Sequence, residues 1–410
     1  MSSQGAGVVI IGSGQAGAEV ATCLRQMGYP GRIQMVGEEV HLPYRRPPLS
    51  KEYLGREVSL ESLAIKSGAV YAKAGIELLR GVRAVAIERD ARTVRLEDGR
   101  VLAYDALVLA TGGRNRPLPL PGAEASNVHY LRTIEESHAI GEAMVPGKSL
   151  VVIGGGYIGL EVAAIGIKHG LKVTALVRGP RVLARVTGPE MSSFYEGVHR
   201  QAGVDVRTGV TITALQTVAG KATAILLADG EIIPADVVVI GNGLIPSVEL
   251  AQAAGLEVGD GILVDAHACT SDPHILAVGD VANHPNPLYG RRMRFESVPN
   301  ATEQARTVAA TICGKALPYR PIPWFWSNQY DLKLQMVGIS EGYDDVVFRG
   351  EPASRSFSAF YLKDGVVIAA DTVNHMQDFM AAKQLVARGR PVDRARLADT
   401  ALPLKSLFED

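Results

Sequence analysis

Two glycine-rich runs, each placed between a short β-branched segment and a helical segment, constrain the fold more than any other feature of the chain. The first, GSGQAG at 12–17, follows the apolar run 8–11 and precedes a predicted helix over 18–27 and a predicted strand over 33–36. In a GxGxxG turn the first glycine permits the tight bend, the second lets a pyrophosphate approach the backbone, and the third lets helix and strand pack closely. This order predicts a Rossmann-like dinucleotide-binding unit.

The same pattern returns further along the chain. A strand is predicted over 149–153, with GGGYIG directly after it at 154–159. A predicted helix over 157–169 and a strand over 172–177 complete the unit. Repetition at such a distance indicates duplication of a whole domain, because solenoid repeats are much shorter. The predicted fold class is therefore α/β, with two Rossmann-like dinucleotide-binding domains.

The strand that follows each glycine run ends differently in the two units. Glu38 stands at the distance expected for a carboxylate that accepts hydrogen bonds from ribose hydroxyls. The second unit has Val177 and Arg178 instead, with Arg181 close behind. A carboxylate would repel a 2′-phosphate, whereas arginine can pair with it, so the sequence is compatible with NADPH as the electron donor, and the choice between NADH and NADPH stays open. The alternative is that both arginines are solvated loop charges.

The last part of the chain lacks the strand–glycine turn–helix–strand pattern of the two dinucleotide-binding units. The aromatic and apolar stretches 357–362 and 366–370 precede a helical tail. Residues 323–410 are therefore predicted to form a separate α+β domain.

Composition excludes several classes of partner and site. The 410 residues are 47% hydrophobic and carry a formal net charge of -1, which argues against a broad electrostatic footprint for nucleic acid or an anionic membrane. We found no leader and no apolar segment long enough to span a bilayer, so we expect a cytoplasmic protein. Cys23, Cys269 and Cys313 form no CxxC pair and are expected to be buried thiols. No metal site is expected.

Two strand ends resemble signatures of the flavoprotein superfamily with two dinucleotide-binding domains. They are ATGG at 110–113 and TSDPHILAVGD at 270–280, which ends in Asp280. The resemblance implies that Asp280 hydrogen-bonds FAD, that the first glycine run binds FAD and that the second binds the nicotinamide dinucleotide. It further implies a discontinuous FAD domain, and the resulting division is 1–112 with 241–322 for FAD, 113–240 for NAD(P) and 323–410 for the C-terminal domain.

Five segments make the resemblance more specific: RRPPLSK at 45–51, ATGGRNRPLP at 110–119, VVIGGGYIGLEVAA at 151–164, ESVPNATEQAR at 296–306 and PWFWSNQYDLKLQMVG at 323–338. Together they resemble the FAD-dependent ferredoxin reductases of bacterial oxygenase systems, of the putidaredoxin reductase type. The stretch 43–51 lacks the cysteines that disulfide reductases and peroxidases of the superfamily carry near this place, which excludes dithiol chemistry. The resemblance implies electron transfer from NAD(P)H through FAD to a [2Fe-2S] ferredoxin. That ferredoxin would feed a cytochrome P450 or a ring-hydroxylating dioxygenase of aromatic hydrocarbon catabolism.

The glycine runs and the resemblance together name the candidate site residues. Those expected to contact FAD are Gly12, Gly14, Ala16, Gly17, Glu38, Arg45, Pro48, Lys51, Ala84, Ala110, Thr111, Gly112, Arg132, Gly279, Asp280, Val298 and Trp326. Those expected to contact the nicotinamide dinucleotide are Gly154, Gly156, Tyr157, Ile158, Gly159, Glu161, Arg178, Arg181 and Gly243.

Three of these residues are expected to serve the reaction itself. The resemblance implies that Lys51 and Glu161 form an ion pair beside the flavin and nicotinamide rings, and that Trp326, with Trp324, lies near the flavin on the ferredoxin side. Arg306 and Lys383 are candidate docking residues for an acidic ferredoxin, with solvated surface charge as the alternative.

Two other functions remain open at this point. The first is an NAD(P)H oxidase or quinone reductase that passes electrons to oxygen or a small acceptor. The second is a flavoprotein like apoptosis-inducing factor, whose redox state controls dimerisation or partner binding.

Overall fold

The computed structural model describes residues 5–408. Its strands, in chain order, are β1 Val8–Ile11, β2 Ile33–Gly37, β3 Ile76–Arg80, β4 Ala84–Glu88, β5 Thr93–Leu96, β6 Val101–Ala103, β7 Ala106–Leu109, β8 Gly113–Asn115, β9 Val128–Tyr130, β10 Ser149–Ile153, β11 Lys172–Val177, β12 Asp205–Thr208, β13 Ile212–Val218, β14 Lys221–Leu227, β15 Ile232–Pro234, β16 Val237–Ile240, β17 Leu244–Pro246, β18 Val258–Gly259, β19 Gly261–Leu263, β20 Ile275–Ala277, β21 Ala282–Asn286, β22 Arg291–Met293, β23 Trp324–Gln329, β24 Leu332–Gly338, β25 Asp345–Arg349, β26 Phe357–Lys363 and β27 Val366–Val373.

The α-helices are α1 Gln15–Gln26, α2 Gly68–Lys73, α3 Ile134–Ala143, α4 Tyr157–Lys168, α5 Pro189–Gln201, α6 Glu249–Ala253, α7 Val298–Ile312, α8 Met376–Arg388 and α9 Arg394–Ala398. Short 3-10 helices lie at Pro47–Ser50, Glu61–Leu63, Gly279–Val281, Pro352–Ser354 and Leu404–Phe408. Within residues 5–408, no helix has the length and apolar character needed to cross a membrane.

The chain divides into two compact units. The first comprises the described residues up to 46, residues 60–114 and residues 244–323. The second comprises residues 47–59, residues 115–243 and the described residues from 324 onward.

A parallel five-stranded sheet in the order β20-β7-β1-β2-β3 organises the first unit. All four residues of β1 are buried, which explains why its sequence is uniformly β-branched rather than alternating. Helices α1 and α7 pack against each other over one hydrophobic cluster, to which Val20, Leu24, Ala305 and Val308 contribute fully buried side chains. The antiparallel sheet β4-β5-β6 contributes to a second cluster.

A second parallel sheet, in the order β12-β11-β10-β16-β9, organises the second unit, with α4 packed on β10 and β11. The antiparallel sheet β13-β14-β15 belongs to the same unit. Residues from 324 onward add a five-stranded antiparallel sheet, β23-β24-β27-β26-β25, with α8 packed against β24 and β27. The predicted fold class is confirmed: two Rossmann-like sheets and a C-terminal α+β part.

Local differences from the sequence predictions have simple causes. Helix α1 begins at Gln15 rather than at the predicted residue 18, because Gly14 already serves as its N-cap. The expectation of three buried thiols is wrong for two of them: Cys23 is buried, whereas Cys269 and Cys313 are partly exposed. Both lie at the edge of the hydrophobic cluster around α1 and α7 rather than within it.

Candidate dinucleotide sites and the Lys51–Glu161 pair

The first glycine run lies where the strands of the first unit's parallel sheet end. β1 pairs with β2 and β7, and β7 pairs with β20, so the carboxyl ends of these strands meet at one edge. Ligands of open parallel sheets bind outside this edge. The predicted FAD residues that follow these strands are Gly12 and Gly14 after β1, Glu38 after β2, Ala110, Thr111 and Gly112 after β7, and Gly279 and Asp280 after β20.

The turn between β1 and α1 requires glycine. Gly12 has a φ of +112°, and a Cβ atom there would lie 2.1 Å from the carbonyl oxygen of Ala110. A Cβ atom on Gly17 would lie 2.0 Å from the carbonyl oxygen of Gly12. Both positions therefore exclude a side chain, which lets α1 begin close to the sheet edge.

The amino end of α1 is open to an anion. Gly14 caps the helix without a side-chain hydrogen bond, and the first turn, which contains the buried Ala16, carries no acidic residue. A Cβ atom on Gly14 would meet no atom within 4 Å. Because unpaired helix N–H groups and the positive end of the helix dipole favour phosphate, these residues fit the pyrophosphate of FAD.

Glu38 and Arg45 make protein contacts of their own. The Glu38 carboxylate is well exposed and lies 3.0 Å from the guanidinium of Arg83. Arg83 directly precedes Ala84, the first residue of β4. Arg45 is exposed and donates a hydrogen bond to the carbonyl oxygen of Ser62 at 2.6 Å. Glu38 retains the exposure that a ribose-binding carboxylate needs, whereas part of the Arg45 guanidinium holds the local chain.

The end of β20 and the start of α7 form the other side of this edge. The Gly279 N–H donates to Gln304 Oε1 at 2.8 Å, and a Cβ atom on Gly279 would lie 2.8 Å from the Cβ of Ala16. Asp280 follows within the 3-10 turn, which packs against α7. Val298 is the first residue of α7. These contacts place Gly279 next to the first turn of α1.

The second glycine run repeats the arrangement in the second unit. Gly154 has a φ of +123°, and a Cβ atom there would lie 2.3 Å from the carbonyl oxygen of Gly241. A Cβ atom on Gly159 would lie 2.5 Å from the Gly154 carbonyl oxygen, whereas one on Gly156 would meet no atom within 4 Å. Gly156 caps α4 without a side-chain hydrogen bond or an acidic first turn. These residues fit a second pyrophosphate.

The end of β11 exposes one of the two arginines that follow it. Arg178, directly after β11, is exposed. Arg181 is partly buried, and its guanidinium donates to the carbonyl oxygens of Thr187 at 2.8 Å and Ala184 at 3.1 Å and also to Ser192 Oγ. Arg181 therefore holds its own loop, which leaves Arg178 as the better-placed partner for a 2′-phosphate.

The first turn of α4 has one exposed and one inward side chain. Ile158 is 49% exposed. The Tyr157 ring lies 5.1 Å from that of Phe325, and burial raises the pKa of Tyr157 well above its usual value. Tyr157 is thus a neutral, fixed side chain. Gly243, with a φ of +104°, lies shortly after β16, which pairs with β10 beside the second glycine run.

Lys51 and Glu161 form a buried ion pair in the second unit. The Lys51 Nζ lies 2.7 Å from Glu161 Oε2, and the side chains are 12% and 3% exposed. Glu161 also accepts hydrogen bonds from Ser50 Oγ at 2.5 Å and from Ser327 Oγ at 2.6 Å. Three donors around one carboxylate compensate for its removal from water. The predicted pair is therefore built into the fold. Glu161 lies on α4, the helix that begins at the second glycine run, and Lys51 directly follows the 3-10 helix Pro47–Ser50.

The remaining predicted FAD residues of the second unit lie on short elements. Pro48 is in the 3-10 helix that carries Ser50, and Arg132 directly precedes Thr133, the N-cap of α3. Trp326 is half-buried on β23, directly before Ser327.

The docking candidates are distributed over both units. In the second unit, the rings of Trp324 and Trp326 lie 5.8 Å apart, and Lys383 Nζ lies 5.0 Å from the Trp324 ring. Lys383 is therefore partly held by a cation–π contact rather than fully solvated. Arg306 is exposed on α7 of the first unit.

Sequence reasoning missed the two serines that bind Glu161. Ser50 belongs to the RRPPLSK segment, and Ser327 follows the tryptophan pair, so both stood inside recognised segments. Their adjacency to Lys51 and Trp326 was the available signal.

Metal and dithiol sites are absent from the described part of the chain. The three cysteines are free, and within residues 5–408 no cluster of three or more His, Cys, Asp or Glu side chains could hold a metal ion.

Comparison with known proteins identifies the family. Residues 6–305 match the family described as pyridine nucleotide-disulphide oxidoreductase, and residues 324–408 match the family described as reductase C-terminal. Putidaredoxin reductase CamA of Pseudomonas putida is 50% identical over 406 residues, which cover 98% of this chain and 96% of the relative. A ferredoxin–NAD(P)(+) reductase of Sphingomonas sp. is 44% identical over 404 residues, covering 98% of this chain and 97% of the relative.

A solved structure agrees with this likeness. The crystal structure of the covalent putidaredoxin reductase–putidaredoxin complex superposes with a TM-score of 0.95 at 49% identity and covers 98% of each chain. The resemblance seen in the sequence segments is thereby confirmed. The chain belongs to the pyridine nucleotide-disulphide oxidoreductase family, within its group of putidaredoxin reductase-like ferredoxin reductases.

Proposed function

We propose that the protein is an FAD-dependent ferredoxin reductase, which takes electrons from NAD(P)H and delivers them to a small acidic [2Fe-2S] ferredoxin that feeds a cytochrome P450 or a ring-hydroxylating dioxygenase. The observation that carries this proposal is the combination of two dinucleotide-type glycine turns with three free cysteines, none of them beside the Lys51 segment. Electrons that reach the first dinucleotide have no dithiol of this chain to reduce, so the acceptor is a separate molecule. The likeness to putidaredoxin reductase supports a ferredoxin as that acceptor.

Different residues of the chain would bind different parts of the two dinucleotides. The turns at Gly12 and Gly154 would admit the two pyrophosphates, and Glu38 would accept the ribose hydroxyls of FAD. When bound, FAD supplies the chemistry that accepts a hydride from reduced nicotinamide and releases electrons singly. Lys51 would supply a positive charge and Glu161 a negative one beside the rings of the bound cofactors, and the two side chains are already paired at 2.7 Å. Their burial strengthens both fields, because a low local dielectric screens charges less than water does.

The domain boundaries follow from the same assignment. We infer that residues 1–112 and 241–322 form the FAD domain, 113–240 the NAD(P) domain and 323–410 the C-terminal domain. The two parallel sheets and the separate antiparallel sheet support this division, although residues 47–59 cluster with the second unit rather than with the rest of the proposed FAD domain. A cytoplasmic location is expected, since NAD(P)H is regenerated there.

Ferredoxin docking is assigned to the tryptophan pair and nearby positive charge. Trp324 and Lys383 contact each other and offer an aromatic surface with a cation, which suits an acidic partner. Arg306 is a second candidate cation.

Reduction of cytochrome c with and without an added [2Fe-2S] ferredoxin tests the proposal. We expect the rate of NAD(P)H-dependent cytochrome c reduction to rise by at least about tenfold when ferredoxin is present. Ferredoxin adds a route for electrons from the protein to cytochrome c without changing the hydride step. Equal rates without ferredoxin would instead favour an oxidase or quinone reductase. Slow turnover in both assays, together with dimerisation on addition of NADH, would favour a redox-controlled binding protein.

A further inference from the structure

A continuous line of hydrogen bonds crosses the second unit and ends at Glu161. Tyr330 OH lies 3.1 Å from His199 Nδ1, and His199 Nε2 lies 2.8 Å from Gln329 Oε1. Gln329 Nε2 lies 3.1 Å from Ser327 Oγ, which lies 2.6 Å from Glu161 Oε1. The residues come from β23, α4 and α5 and from the turn after β23, so tertiary packing alone assembles the line.

Its interior members are withdrawn from water. His199 and Ser327 are 0% exposed, Gln329 is 1% exposed and Glu161 is 3% exposed, whereas Tyr330 is 38% exposed. Buried polar side chains are unfavourable unless their hydrogen bonds are satisfied, and networks that are fully connected specify one arrangement. This line therefore connects Tyr330, a partly exposed side chain, to the buried carboxylate through groups that have partners on both sides.

The direction of each hydrogen bond follows from the carboxylate. Glu161 faces the Lys51 ammonium and can only accept, so Ser327 must donate its single hydroxyl proton to it. Ser327 must then accept from the Gln329 amide nitrogen, which leaves the Gln329 oxygen to accept from His199 Nε2. Burial lowers the pKa of His199, so the ring is neutral, and its bare Nδ1 accepts from Tyr330. Every donor points toward Glu161.

The chemistry of Gln329 decides what such a line can do. A primary amide transmits polarisation but does not readily release and take up a proton. The line is therefore poorly suited to proton transport between His199 and Ser327, and well suited to fixing a charge, because aligned donors stabilise an anion in a low dielectric.

We propose that Tyr330, His199, Gln329 and Ser327 form a positioning relay that holds the Glu161 carboxylate oriented toward Lys51 and so sets the geometry in which the nicotinamide ring is received. The proposal rests on the proposed function, in which Glu161 lies beside that ring. None of the four residues is assigned to touch a cofactor. The relay acts through Glu161 alone.

Paired variants separate the relay from general packing. Ser327→Ala removes the donor to Glu161, and Ser358→Ala is its control, since Ser358 is also 0% exposed but donates to Asp378 at 2.9 Å. His199→Leu interrupts the relay at its third residue from Glu161, because Ser327 and Gln329 lie between them. His199→Gln is the conservative replacement, because its amide nitrogen can still donate to Gln329 Oε1.

The first readout needs no turnover. We expect the infrared difference spectrum between the FAD-loaded protein with and without NAD⁺ to contain a carboxylate band from Glu161, which Glu161→Gln identifies by removing it. We expect that band to shift in Ser327→Ala and His199→Leu and to stay in place in His199→Gln and Ser358→Ala. If the band of Ser327→Ala coincides with that of Ser358→Ala, the relay does not exist.

The second readout is the rate of flavin reduction by NADH in single turnover. Ser327→Ala is expected to slow it about tenfold, or about 1.4 kcal/mol, and His199→Leu about threefold, with little change for Ser358→Ala. Ferredoxin reduction by the chemically prereduced variants should match that of the wild type. Should Ser327→Ala fail to fold, Tyr330→Phe at the surface end gives the same band shift in smaller measure, and an unshifted band there overturns the proposal. Failure of the proposed function would appear instead as absent ferredoxin reduction in the wild type, with the infrared result unaffected.

Discussion

The Lys51 ammonium lies 2.7 Å from the Glu161 carboxylate, although 110 residues separate them in sequence. Because both side chains are largely buried, the pair depends on mutual compensation. Lys51→Met is expected to lower the free energy of unfolding by about 3–5 kcal/mol, since it leaves an uncompensated buried charge. The double variant Lys51→Met/Glu161→Leu should recover much of this loss in chemical denaturation. A single variant as stable as the double one would contradict the expectation.

The two glycines at the first turn should respond differently to alanine. Gly14→Ala should leave the apoprotein intact, because the added Cβ meets no atom within 4 Å, but it should weaken FAD binding about tenfold by occupying the approach to the pyrophosphate. Gly12→Ala should instead destabilise the apoprotein by at least about 2 kcal/mol through strain at a positive φ and contact with Ala110. Thermal unfolding of the apoproteins and FAD titration measure the two effects. Equal behaviour of the two variants in both assays would argue against this reading of the turn.

Coenzyme choice should depend on Arg178. Arg178→Glu should raise the KM for NADPH at least about tenfold more than that for NADH, because a carboxylate repels the 2′-phosphate that arginine can bind. Arg181→Met should affect both coenzymes alike, since Arg181 holds its own loop. Steady-state kinetics with each coenzyme provide the measurement. Equal effects of Arg178→Glu on both would refute the role of Arg178.

A buried acid in the C-terminal sheet should make stability depend on pH. Burial raises the pKa of Asp371 to about 6, although hydrogen bonds from Thr187 and Tyr361 oppose the shift. The folded protein therefore holds this proton more tightly than the unfolded chain, so the contribution of Asp371 to stability is greatest below about pH 4 and falls by about 3 kcal/mol as pH rises through about 6. Asp371→Asn should lack this component. The difference in unfolding free energy between wild type and variant, followed from pH 4 to pH 7, should change accordingly; a constant difference would place the pKa of Asp371 near its ordinary value.

Docking should respond to charge at Lys383. Lys383→Glu should raise the KM for ferredoxin severalfold at low ionic strength and less at high salt, because electrostatic steering of an acidic partner is screened. Lys363→Glu, at an exposed position at the end of β26, is the control. If both substitutions had the same effect, Lys383 would be an ordinary surface charge.

Much of the fold was readable because its determinants are local. Each glycine turn specifies its own backbone geometry. The buried strands beside it are recognisable in the sequence as continuous apolar runs, as in β1 and β16. The predicted start of α1 lies three residues too late, because Gly14 serves both as a motif glycine and as the N-cap of the helix. Arg178 and Arg181 looked equivalent in sequence, and only the hydrogen bonds of Arg181 separated them.

The sequence by itself determined the two dinucleotide turns and the family resemblance. It also determined that Glu38 follows the first unit's second strand and that no acidic residue follows the corresponding strand of the second unit. Each of these features depends on contiguous residues. Only the tertiary structure decided the surroundings of Glu161. Ser50 and Lys51 come from one stretch of chain and Ser327 from another, and their convergence on the Glu161 carboxylate depends on how the 3-10 helix and β23 pack against α4. His199 joins them only through Gln329. Local propensity carries no information about such packing, because a hydrogen bond between remote residues exists only after the chain has folded.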